Sequence, residues 1–306
     1  MEKNIVQPTT LRHARYLPGA VLLSLALMTP GLASAHGFAG KRFFPATLTF
    51  DDPFAADEFD LLYNHMNDVA GEDQSVNIDS VGVEYAKTIT PTIALSVGTE
   101  YDWLKFADGT SNKGFNNIEI GGKFLGHVDD QSESVWSYGL NVELGGTSNH
   151  GVGEDFNVYS PTFFFGKGLG NFSSSFVRPM AVTGAIAVDL PARGNVSRNL
   201  NTSFSFQYNF SYLESFVKDV GLPRILRNSL FLIEVPVSTC LDQGCGGDVT
   251  GTVNPGILLF NDSGQITVEA PIPINNKTGD SIGVLLQLHL YLDDIFPHSI
   301  GKPIFD

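Results

Sequence analysis

After its first three dozen residues this chain has no apolar run long enough to cross a membrane as a helix, since a span needs about 20 such residues. It is also short of basic residues, with 18 Lys and Arg against 33 Asp and Glu, and the bases form no cluster. That excludes a nucleic-acid partner, which requires a positive patch. Cysteine occurs only at Cys240 and Cys245. Their C-x4-C spacing, without a second ligand pair, lacks a zinc signature and points to a local disulfide in an exported protein. There is no G-x-S-x-G, H-E-x-x-H or Walker sequence, so no enzyme activity and no cofactor are expected. The glycine-rich stretch from Gly166 to Gly170 reads as a turn, because no helix pattern follows it.

The first 35 residues carry an address. Lys3, Arg12 and Arg15 form a positive region, Leu17 to Met28 an apolar run broken by Pro18 and Gly19, and Ala33-Ser34-Ala35 a small-residue cleavage motif. The pattern predicts a signal peptide over 1–35, removed before His36. Processing takes three cations and one anion, which moves the formal charge from −15 to −17. The new terminal His36-Gly37 resembles a copper-chelating start, but no second histidine can be placed beside it, and no metal site is expected.

Beyond the leader, the dominant pattern is strand alternation. Leu200, Thr202, Phe204, Phe206, Tyr208, Phe210 and Tyr212 interleave with Asn201, Ser203, Ser205, Gln207, Asn209 and Ser211. Side chains alternate between the faces of a strand, so one face is aromatic and the other wholly polar. Thirteen residues tilted near 40° rise roughly 30 Å, about the height of a bilayer core. Similar segments recur from Ala56 to Leu292, twelve in all. With 32 Gly, 23 Phe and long polar connections at alternate ends, they predict an all-β chain: a transmembrane antiparallel β-barrel of about 12 strands over 55–306. The expected lipid-facing aromatics are Tyr85, Trp103, Trp136, Tyr138, Phe204, Tyr208, Phe210, Tyr212 and Tyr291. Prolines 161, 179, 236, 255, 271 and 273 fall inside the expected strands, where each removes a ladder donor. The long connection from Leu213 to Asn228 has partly helical spacing.

With the apolar faces toward lipid, the inward set includes Glu84, Glu100, Asp102, Glu119, Lys123, Glu143, Gln207, Glu234 and Glu269. These are the candidate lumen-lining residues. So acidic a wall favours cations or amine-bearing solutes, or is simply the polar half of an amphipathic sheet.

The segment from His36-Gly37-Phe38 through Arg42-Phe43-Phe44-Pro45-Ala46-Thr47-Leu48 and Asp51-Asp52-Pro53-Phe54-Ala55-Ala56-Asp57-Glu58, followed by amphipathic strands to the end, resembles the outer-membrane channel proteins grouped with the meta-pathway phenol-degradation transporters. That resemblance implies a barrel in the bacterial outer membrane, monomeric or oligomeric, passing small hydrophobic or aromatic solutes. Its partners would be outer-membrane lipid and a small-molecule solute. Residues 36–54 precede the first strand and are expected to form a periplasmic segment or a plug. The other readings of the pattern are a secreted or periplasmic all-β binding module, with its apolar faces packed together, and a structural barrel without transport.

Overall fold

The computed structural model describes residues 37–70 and 74–305; the expected signal peptide and His36 lie outside them. Twelve long strands follow one another: β1 Glu58–Val69, β2 Val76–Thr90, β3 Ile93–Phe106, β4 Ile118–Asp129, β5 Ser134–Leu144, β6 Val158–Gly168, β7 Met180–Pro191, β8 Asn199–Asn209, β9 Ser229–Cys240, β10 Val249–Asn261, β11 Gly264–Glu269 and β12 Val284–Tyr291. A short strand, Ser111–Phe115, leads into β4, and Ile272–Pro273 prolongs β11. Each strand pairs antiparallel with the next, and β12 returns to β1 with Leu286 opposite Tyr63. The sheet therefore closes, and no long edge is left to pair with another chain.

Closure turns the alternation inside out relative to a water-soluble core. On β8, Ser205 is fully buried while its neighbour Phe206 is 52 % exposed. Thr183 on β7 and Gln265 and Thr267 on β11 are buried, whereas Leu95, Ile120, Tyr138, Ile233 and Ile266 face outward. Tyr138 packs on Trp136 at 5.5 Å and on Phe163 at 5.4 Å, so the aromatics tile the outer wall. Such an exterior is stable only against an apolar medium, because an apolar surface this extensive would drive association in water.

Two expected members of that belt lie inside. Strand β8 stops at Asn209, whose Oδ1 accepts from the Tyr212 N–H at 3.0 Å and starts a helical turn. The turn carries Tyr212 under the barrel, where it is buried. Tyr291 is inward by parity with Leu285, Gln287 and His289, and its hydroxyl donates to Gln265 Oε1 at 2.8 Å. The connection after Tyr212 forms short helical turns at Leu213–Val217 and Arg224–Arg227.

Pro161, Pro236 and Pro255 interrupt ladders without ending strands. Pairing of β9 with β10 lapses between Glu234↔Asn254 and Val237↔Gly251, around Pro236. That of β10 with β11 lapses between Gly256↔Glu269 and Val253↔Ile272, around Pro255 and Pro271. Pro179 lies in a turn just before β7, and pairing of β6 with β7 lapses around Pro161, between Thr162↔Ala187 and Tyr159↔Leu190, while β6 keeps register with β5.

Candidate lumen site

Residues 37–57 enter from the end of the barrel that holds the chain termini. Gly40 adopts φ +60° and sends its N–H to Asp130 Oδ1 at 2.8 Å. A Cβ there would stand 2.3 Å from the Asp130 carbonyl oxygen, so only glycine fits. Arg42 follows, with none of its surface exposed. Its Nε donates to Glu133 Oε2 at 3.1 Å, and its other nitrogens donate to the carbonyls of Pro179 at 2.9 Å and Arg178 at 2.6 Å. The guanidinium also stacks 3.7 Å above the Tyr212 ring, while the Tyr212 hydroxyl donates to Glu133 Oε1 at 2.6 Å.

Glu133 is held at φ +48°, a left-handed conformation that costs a non-glycine residue about 1 kcal/mol or more. Its side chain repays the strain by accepting from Arg42, Tyr212 and the Gly170 N–H. Burial lowers the Arg42 pKa against the opposing pull of Glu133 and Tyr212, and a guanidinium remains charged even so. Burial, then the bond to Glu133, pushes the Tyr212 phenol above its ordinary value.

Farther along, Phe44 packs with Val135 and Ala181, and Leu48 with Leu62 and Leu285. The Ala46 carbonyl accepts from Gln265 Nε2 at 2.7 Å. Thr49 gives both its N–H, at 3.0 Å, and its hydroxyl, at 2.6 Å, to Glu234 Oε2. Asp51 Oδ2 lies 2.5 Å from Lys123 Nζ, which also donates to the Asp52 carbonyl at 2.8 Å. Asp57 then binds Lys87 and Thr88 where β1 begins. Apart from Lys87, which adjoins inward Thr88 on β2, each of these partners is an inward residue of a strand.

Above Thr49, toward the loop end, lies a cavity of about 210 Å³. Glu84, Glu100, Asp102, Glu119 and Glu143 line it, together with Glu154, and no Lys, Arg or His does so among the described residues. A local irregularity positions three of these carboxylates. Tyr101 opposes Phe115 and Gly98 opposes Glu119, so Asn116, Asn117 and Ile118 stand opposite only Thr99 and Glu100. Such a β-bulge re-aims side chains. Asn116 Nδ2 donates to Glu100 Oε1 and Asp102 Oδ2, each at 3.0 Å, and Asn117 Nδ2 to Glu143 Oε1 at 2.9 Å.

The remaining candidates sit elsewhere in the lumen. Lys123 is below the cavity against Asp51, Glu234 is under Thr49 with Glu269 and Asn254 beside it, and Gln207 Nε2 donates to Thr183 Oγ1 at 3.0 Å. Near the floor, His289 Nδ1 meets Asp60 at 3.0 Å and Nε2 meets Glu58 at 3.4 Å, an imidazole held between two carboxylates. Cys240 and Cys245 form a disulfide across the loop after β9.

Two groups were not anticipated. The Arg42–Glu133–Tyr212 anchor joins residues far apart in sequence, with no local pattern to mark them. The apolar inward cluster of Met66, Val69, Val76, Ile78, Leu104 and Phe106 did leave a trace: the apolar parity of β2 switches between Ile78 and Val81, and that of β3 between Trp103 and Leu104.

No protein-family profile matches the chain, and no curated protein matches it in sequence. Among solved structures, an outer-membrane channel from Pseudomonas putida F1 has a TM-score of 0.56 at 11 % identity, covering 78 % of this chain and 96 % of that one. The KdgM porin reaches 0.43 at 11 % identity over 76 % and 96 %, and the β domain of the Bordetella autotransporter BrkA 0.44 at 8 % over 78 % and 99 %. The first likeness is one of fold, a closed antiparallel barrel.

Proposed function

We propose that this chain is an outer-membrane channel for small solutes, delivered by a cleaved signal peptide, with its lumen plugged in part by its own residues 37–57. The reversed polarity of the closed barrel carries the proposal: apolar and aromatic side chains outside, and a hydrogen-bonded polar interior with a cavity toward the loops. The fold shared with the Pseudomonas putida channel supports it. By the usual arrangement of such barrels the termini face the periplasm and the longer loops the exterior, so the cavity is an outer vestibule and the N-terminal segment its floor.

The protein's part in transport is steric and electrostatic. The vestibule admits a solute, the wall carboxylates select by charge, and residues 44–52 control the passage below. No bond is made or broken, and no catalytic role is assigned. The likeness to phenol-degradation transporters leads to the expectation of aromatic solutes, and the apolar cluster from Met66 to Phe106 offers them a surface.

The test is fractionation followed by liposome swelling. The mature protein should partition with the outer membrane, migrate faster unheated than boiled, and admit small solutes into proteoliposomes. Folded protein that stays soluble without detergent would overturn the membrane reading. Correctly inserted protein that passes no solute, with or without residues 37–50, would leave a structural barrel.

A further inference from the structure

The vestibule is more specific than an acidic pore. On one side stand Glu84, Glu100, Asp102, Glu119 and Glu143, placed in part by the Asn116-Asn117 bulge. Beside them, on β1 to β3, Leu62, Met66, Val69, Ile78 and Leu104 line the same cavity. An inorganic cation would gain nothing from that apolar wall, and a neutral hydrocarbon nothing from the carboxylates.

One buried acceptor lines this space independently of the carboxylate cluster. Asn64, on β1 and 1 % exposed, has no hydrogen bond to Oδ1, whereas Asp102 already accepts from Asn116 and faces the Ser80 hydroxyl across the β2–β3 ladder. Asn64 lines the cavity. A buried acceptor without a donor is costly, so a ligand that brings N–H groups is stabilised here beyond its charge. The lining has many acceptors and no cationic side chain among the described residues, which excludes carboxylate or phosphate ligands by repulsion.

We propose that the outer vestibule is a binding site for organic ammonium solutes, a primary amine carried on a compact apolar or aromatic body. The ammonium lies among Asp102, Glu100 and Asn64, and the apolar body lies against Met66, Ile78 and Leu104. The cavity, about 210 Å³, is far larger than the 10–15 Å³ that a single water needs and accommodates a monocyclic amine. Low-dielectric walls around the carboxylates concentrate such cations from dilute solution. The identity of the solute rests on the channel reading, but binding can be measured without it.

The probe is 2-phenylethylammonium, titrated by calorimetry into the full mature protein in lipid nanodiscs, with 2-phenylethanol and phenylacetate as comparators. Saturable binding at least about tenfold tighter than either comparator is expected. Glu100→Gln with Asp102→Asn should weaken it by about tenfold or more, and Leu104→Ser by several-fold, each variant being checked for barrel folding by unheated migration. Asp219→Asn, at the opposite end, should leave it unchanged.

Equal binding of phenylacetate, no saturable binding, or binding indifferent to both the carboxylate and Leu104 variants would overturn the proposal. Displacement of the probe by potassium ions at its own concentration would equally overturn it, by reducing the site to a simple cation sink. Conductance in planar bilayers separates the two readings: a conducting protein that does not bind the probe loses this inference alone, and a binding protein that never conducts loses the channel.

Discussion

Arg42→Met should release the N-terminal segment. The guanidinium has no exposed surface, three hydrogen bonds and a stacked ring, and its loss strands a buried carboxylate at Glu133. Breaking one partner of a buried pair costs about 3–5 kcal/mol. Tyr212 and the Gly170 N–H still bind Glu133, which argues for the low end, about 3 kcal/mol. That shifts the docked-to-released ratio by roughly 100-fold, since 1.4 kcal/mol is a factor of ten.

The reporter is Ala46→Cys, a buried position in the segment, with Cys240 and Cys245 replaced by serine. When opening is rapid and reversible, thiol labelling tracks the released population. The rate should rise about 100-fold in Arg42→Met. It should fall back by about tenfold when Glu133→Gln is added, because the stranded charge is then gone. Labelling within threefold of the reference in Arg42→Met, or no recovery in the double variant, would refute the anchor.

Three other outcomes follow from the same geometry. Gly40→Ala places a Cβ against the Asp130 backbone and should raise the Ala46→Cys labelling rate by at least about fivefold, for a strain above about 1 kcal/mol. Tyr212, whose pKa is raised by burial and by Glu133, makes its full contribution to docking below the ordinary tyrosine value near 10 and loses it as pH climbs toward the raised value. Labelling should therefore accelerate above about pH 10, and Tyr212→Phe should remove that alkaline rise. Replacing Cys240 and Cys245 by serine opens a loop of sequence separation 5. It should cost at most about 2 kcal/mol, leaving barrel migration and conductance unchanged, as read by heat-modifiability and planar bilayers.

Strand order and closure were legible because alternation has a period of two and each strand announces its own faces. The run from Leu200 to Asn209 shows this, with Ser205 inside and Phe206 outside. The pattern misled where a strand had already ended: Tyr212 keeps the aromatic parity of β8, but Asn209 caps a turn and swings it inward. Tyr291 shares the aromatic character of the outer belt, but its parity with Gln287 and His289 is inward.

The acidic side of the vestibule could be read from single strands, whereas the bulge at Asn116-Asn117 could not. A bulge appears only when two strands are aligned, and here it brings two consecutive asparagines to bear on carboxylates of β3 and β5. Long-range pairs such as Arg42 with Glu133 and Thr49 with Glu234 depend on how residues 37–57 thread the barrel. No periodicity encodes that path.

Single-channel conductance in planar bilayers, measured on the mature protein and on the same protein lacking residues 37–50, tests whether the N-terminal segment plugs a conducting barrel. Small, cation-preferring steps are expected from the intact chain and distinctly larger ones from the deletion. Equal conductance from the two proteins, or silence from both when correctly folded and inserted, would contradict a plugged conducting barrel.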